Sequence, residues 1–172
     1  MTIIGTSTLF YKGSGSDRGW RVLDKSERIT AHFGPGPAEK DRAWLTAIIQ
    51  QNSALGTQIE QFIERYPETK SRALKAAQIY LSNGVYQPRP RMARFFNEVA
   101  QVQSQKDPDK LYSLQGDARK PSCQCDDYHK FGKAPMVHLQ HGYVKICKHI
   151  IAYNLAIYFN RFVEDQHVSA TA

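Results

Sequence analysis

All three cysteines of the chain stand in one pattern, Cys123-x-Cys125 followed by Cys147-x-His149, and the second pair runs straight into an apolar stretch. Four such side chains restrict a fold strongly when they serve one ion, because all must converge on a single point. Residues two apart in an extended or tightly turned segment point to the same side, so Cys123 and Cys125 can reach one ion. Cys147 and His149 then close the tetrahedron from the start of the following helix. Three thiolates and one imidazole are a common structural set for zinc. With four protein ligands no position is left for water, so the expected Zn2+ site is structural and not catalytic.

Other readings of the same residues stay open. Buried free cysteines serve many domains as small hydrophobes. A disulfide between Cys123 and Cys125 would be strained at so short a separation and would leave an odd cysteine. An iron–sulfur cluster normally asks for four thiolates, and this chain has three cysteines. The linker also carries His129, His138 and His141, any of which could replace His149 or hold a second, weak ion. Their irregular spacing reads more simply as solvated loop histidines.

The pattern resembles the SWIM zinc finger, whose signature is Cys-x-Cys, a variable linker, then Cys-x-His. The likeness extends to Cys123-Gln124-Cys125-Asp126-Asp127-Tyr128 and to Cys147-Lys148-His149-Ile150-Ile151-Ala152. It also takes in a predicted strand pair, Val99 to Ser104 and Leu111 to Gln115, around a turn at Lys106-Asp107-Pro108-Asp109. The resemblance covers about residues 98–160, and its twenty-one-residue linker is at the long end of what the family shows. It implies a ββα module stapled by one zinc ion that binds DNA or proteins. The family occurs in chromatin-remodelling helicases, Mutator-like transposases and recombination-mediator subunits. A chain of 172 residues with no ATPase or nuclease motif then reads as an accessory subunit of such machinery.

Charge is distributed unevenly. Of the formal net charge of +7, almost none belongs to residues 1–67, whereas residues 68–149 carry fourteen basic against seven acidic side chains. The excess therefore sits around the finger, where a basic field attracts polyanions and releases their counterions. The bland reading is that lysines keep a small protein soluble. The expected phosphate contacts are Arg89, Arg91 and Arg94 before the finger, and Arg119, Lys120, Lys130, Lys133, Lys145 and Lys148 beside its ligands. Guanidinium groups bind phosphate bidentately, and aromatics near them can stack on unpaired bases. Phe95 and Phe96 adjoin the arginines, but at their spacing they read first as core residues.

Hydrophobic content of 41% and aromatic content of 11% are those of a folded chain, long enough for a core plus a small metal-stapled module. The expected fold is α+β, with residues 1–97 forming a β-hairpin and helices, 98–165 the zinc module with its terminal helix, and 166–172 a frayed tail. The hairpin spans Thr6 to Lys12 and a strand or two between Trp20 and Phe33, with Val22, Ile29 and Phe33 facing the core. Gly13-Ser14-Gly15 lacks the Lys-Ser or Lys-Thr of a phosphate loop and reads as a turn. After Gly34-Pro35-Gly36-Pro37 a helical stripe runs from Trp44 through Phe62 to Tyr66. A second helix runs from Glu68 to about Ser82 with Leu74, Ala77 and Leu81 inward, stopped by Asn83-Gly84, and a short helix follows over Met92 to Glu98.

No apolar run is long enough to span a bilayer, and Met1 to Gly5 lack the basic start of a secretory signal, so a reducing interior, cytoplasmic or nuclear, is expected. The leading expectation is a non-enzymatic protein that binds nucleic acid, DNA more than RNA, alongside other protein subunits and without a membrane. The alternative is a zinc-stabilised protein-interaction module that docks through its apolar C-terminal helix, where Ile151, Leu155, Tyr158 and Phe162 recur at helical spacing.

Overall fold

Four antiparallel strands open the chain in the order of the sequence: β1 (Thr2–Ile4), β2 (Ser7–Lys12), β3 (Gly19–Leu23) and β4 (Ile29–Phe33). The expected hairpin is thus the middle of a meander, and β1 adds a strand that three residues of sequence could not announce. Leu9 and Val22 stand opposite each other across β2 and β3, and both are fully buried. Ile29 is instead 55% exposed. It lies at the start of an edge strand beyond a register shift at Val22/Leu23, past the point where the core covers the sheet. This computed structural model describes residues 2–4, 7–12, 18–130, 134–139 and 142–163. Most of the glycine-rich turn, Lys133, His141 and the expected tail lie outside these.

Helix α1 (Pro37–Gln51) starts on a proline at its first turn, where the missing N–H costs nothing. Ala43, Trp44, Ala47 and Ile48 form its buried stripe. The stripe expected to run unbroken to Tyr66 is divided at Asn52, whose backbone is extended and whose side chain accepts from the Leu55 N–H at 3.0 Å. A capped new helix, α2 (Ser53–Arg65), follows. Gly56 faces α1 so closely that a methyl group there would overlap Ile49. A short 3-10 turn at Pro67–Thr69 leads to α3 (Lys70–Leu81), which buries Ala73, Leu74, Ala76, Ala77, Ile79 and Tyr80, a wider face than the expected stripe. Asn83, with φ of 56°, takes the left-handed conformation that ends it.

Contacts divide the chain into two units, Met1–Ser82 and Asn83–Ala172. The second unit includes β5 (Val85–Tyr86), which pairs with a strand of that unit and whose Tyr86 bridges to Val163. Helix α4 (Pro90–Phe96) comes next. It stops at Asn97, again left-handed with φ of 49°, and so ends two residues before the expected Glu98, which opens the following strand.

Strands β6 (Glu98–Gln103), β7 (Leu111–Gln115) and β8 (Ser122–Cys123) complete an antiparallel sheet in the order β5-β6-β7-β8. The strand pair read from the sequence is therefore present, widened by one two-residue strand on each side. A one-turn helix α5 (Asp126–His129) and a separate two-stranded ribbon, β9 (Met136–Leu139) and β10 (Gly142–Lys145), occupy the linker, and α6 (Lys148–Tyr158) follows. The architecture is α+β.

The central sheet has two distinct faces. Ala100 opposes Leu114, Val102 opposes Tyr112 and Leu114 opposes Cys123, so these residues share the face on which α6 packs. Gln101 opposes Ser113 on the other face, joined by Glu98 through a register shift, and α4 packs there. Among the described residues no helix is long and apolar enough to cross a membrane.

Candidate metal centre

Strand pairing aims the first ligand. Because Cys123 is the partner of Leu114 in β8, its side chain points to the α6 face of the sheet. Cys125 follows after one residue as the N-cap of α5, in extended backbone that returns its side chain to the same side. Cys147 is the N-cap of α6, and His149 sits in the first turn of that helix. The four ligand atoms lie within 4.8 Å of one another, and all four residues are buried. The sequence pattern thus becomes a single cluster that could hold a metal ion.

Distances and donors fit such an ion. The Nδ1 of His149 is 3.6 Å from the Cys123 sulfur and 4.0 Å from that of Cys147. A tetrahedral zinc-sized ion, with bonds of about 2.3 Å to sulfur and 2.0 Å to nitrogen, has edges of roughly 3.5–3.8 Å between its ligands. The Cys125 N–H points at the Cys123 sulfur at 3.5 Å, a donor suited to a bound thiolate. His149 is oriented mainly by packing: its ring lies 4.6 Å from that of Tyr112, and its buried Nε2 has no hydrogen-bond partner among the described residues. Tyr112 is a supporting residue that motif reading misses, and its only sequence signal is its alternation with Leu114 on β7.

Three thiols in this dry space cannot all ionise on their own. Hydrogen bonds from Cys123 and then Cys147 hold the Cys125 thiol far below the ordinary range. The same hydrogen bonding, with Cys125 first, then Cys147 and burial, drives Cys123 far above it. Cys147 is pulled down by Cys123 and by the Ile150 N–H, yet ends pushed up to about 12 through hydrogen bonding to Cys125, burial and the charge on that neighbour. Burial, then the nearby thiols, also raises Tyr128. Without a cation the three groups oppose one another's ionisation. A divalent cation would relieve that repulsion and let all three sulfurs bind as thiolates.

His129 and His138 stay out of the cluster. The first packs edge-on against Tyr128 and the second against Tyr143, each at the protein surface.

The expected basic residues fall into two groups and one exception. Lys120 brings its Nζ against Gly142 of β10, Lys145 of the same strand lies over the Tyr128 ring at 5.0 Å, and Lys130 follows Tyr128 while pairing with Asp126 at 3.6 Å. Each lies on or against the ribbon or α5. Arg119 is exposed beside Lys120, and Lys148 is half-buried between two ligands. The second group, Arg91 and Arg94, is exposed on α4. Arg89 is the exception, because its guanidinium lies 3.6 Å from the carboxylate of buried Glu98 and reaches the Gln101 side-chain oxygen at 2.7 Å and 2.9 Å once that amide is oriented to accept. Ser113 also donates to Glu98. Arg89 therefore satisfies a buried acid, and what remains exposed of it is partly neutralised.

Comparison of the chain with protein-family models, with curated proteins and with solved structures found no match.

Proposed function

We propose that the chain is a SWIM-type zinc-finger protein that binds nucleic acid, DNA in preference to RNA, as a non-enzymatic accessory subunit of DNA-processing, recombination or mobile-element machinery. Zinc is the ion assigned to the cluster, since a Cys3His set with four buried ligands suits its tetrahedral preference and leaves no open position for a reacting water. In this reading β6 and β7, with α6 docked across them, are the ββα of the finger.

The observation that carries the reading is the basic rim. Lys120 lies against Gly142, Lys145 over Tyr128 and Lys130 beside Asp126, each on or against the segment between Cys125 and Cys147. Metal binding holds that segment at both ends, so the ion would fix the directions in which these ammonium groups face. Each phosphate neutralised by such a group releases counterions, and the affinity should fall steeply with salt.

A docking role for α6 draws on less surface. The helix buries His149, Ile150, Ile151, Ala152, Tyr153, Leu155 and Ala156, leaving Ile157 and Tyr158 as its exposed large apolar residues. A mobility-shift titration against DNA and RNA over a salt series, with and without chelator, tests the proposal. Binding that weakens with salt and disappears with metal removal supports it. Absence of any shift at low salt, or affinity indifferent to salt, would refute it in favour of a protein partner.

A further inference from the structure

The exposed face of α4 is the place to look next. Phe95 is 67% exposed and Phe96 57%, although both read in sequence as core residues. The physical reason lies beneath the helix. The sheet face that α4 covers is made polar by Glu98, Gln101 and Ser113, and Met92 and Ala93 already fill the half-buried positions.

Their surroundings are cationic. At about 100° per residue, Arg91, Arg94 and Phe95 share one arc of the helix, while Phe96 lies about 100° beyond Phe95, toward the side of Met92 and Ala93. The Arg94 guanidinium carbon stands 5.7 Å from the centre of the Phe95 ring. Helix α4 carries no acidic residue, and Glu98, the acid next in sequence, is turned inward to Arg89. Two adjacent exposed rings with two arginines and no acid match a ligand that offers flat apolar faces and anionic links in alternation.

We propose that α4 is a stacking platform for unpaired bases, so that the nucleic acid bound is single-stranded where it meets this helix. The inference rests on the nucleic-acid reading and sharpens it. In a duplex the base faces are already stacked on their neighbours, and a phenyl ring can reach them only by unstacking a step. In a single strand each base has a free π-face, and Phe95 and Phe96 take two of them while Arg91 and Arg94 hold flanking phosphates. Charge complementarity selects this occupant over a neutral apolar partner.

The test compares a fluorescein-labelled oligothymidylate with a labelled duplex of equal length, by anisotropy on the full chain loaded with zinc. Tighter binding of the single strand is expected, with Phe95→Ala and Phe96→Ala each lowering that affinity roughly tenfold and leaving the duplex unchanged. Arg94→Ala should weaken both ligands. Equal binding of the two ligands, untouched by either phenylalanine substitution, would overturn the platform while leaving the nucleic-acid reading intact. Failure to bind either ligand would remove both. Sedimentation with phosphatidylserine vesicles is the second arm. Vesicle binding lost in Phe95→Ala and Phe96→Ala, without single-strand preference, would reassign the patch to a lipid surface and refute the proposal.

Discussion

The sheet β5–β8 carries a helix on each face, and the two are opposites. Helix α6 buries seven of its eleven residues and carries His149 of the clustered four, with Cys147 at its N-cap. Helix α4 buries none of its seven and turns two phenyl rings to solvent. The contrast follows from the strand faces beneath them. Ala100, Val102 and Leu114 offer α6 an apolar floor, worth about 2 kcal/mol for each large side chain set on it. Glu98, Gln101 and Ser113 offer α4 hydrogen bonds and one buried charge. One face thus builds the fold and the other presents a surface, and substitutions on the two should separate stability from binding.

The largest effect belongs to the α6 side. Cys147→Ser, or removal of the metal by chelation, should unfold the second unit, because metal-binding free energy in small zinc modules is also folding free energy, on the order of 10 kcal/mol. Near-ultraviolet circular dichroism and a metal-release assay would report it. An undisturbed spectrum after chelation would mean that the apolar floor alone holds α6. Next comes Ile150→Ala, which empties a fully packed position on that helix and should cost about 2–5 kcal/mol in denaturant unfolding.

Crossing to the α4 face, Glu98→Ala should cost about 3 kcal/mol, since it strips the buried partner from Arg89, Gln101's neighbour, and from Ser113. It should leave metal content unchanged. A Glu98→Ala variant that also lost its metal would show that the two faces are not separable.

What could be read beforehand divides along the same line. The four clustered ligands were legible because their spacing is local: two residues apart in each pair, with chain geometry aiming both. Strands β6 and β7 and the start of α6 were legible for similar reasons. The two-residue strands β5 and β8 were not, because a strand that short is defined by its partner and not by its own pattern. The ribbon β9–β10 hid inside an apparent loop, its buried side shown by Val137 and Val144. Asn52 hid the break between α1 and α2, since the apolar stripe continues past it and only the capping side chain marks the restart. Arg89 looked like its neighbours in sequence. Its engagement depends on Glu98, nine residues away, being folded back beneath it.

Asn97 is where the α4 face is joined to the strand, and it sharpens the comparison at smaller scale. Its φ of 49° lies in the left-handed region, which asparagine tolerates and β-branched residues do not. Asn97→Val should therefore cost about 1–2 kcal/mol, while Asn97→Gly should be close to neutral. Thermal unfolding of the pair would measure the strain of that turn separately from any ligand.

The smallest expected effect is the most telling. Phe95→Ala and Phe96→Ala remove large side chains that are mostly in water, so the transfer free energy recovered on folding is small and no closed cavity is left behind. Each should shift unfolding by less than about 0.5 kcal/mol, the range of ordinary surface substitutions. A helix whose phenyl rings serve the fold would instead lose several times that amount, as is expected of α6 at Ile150. Equilibrium denaturation of the two single variants, in metal-supplemented buffer, decides between these outcomes. A large loss would mean that the rings belong to packing, and the opposition between the two faces of the sheet would fail at the position where it is drawn most sharply.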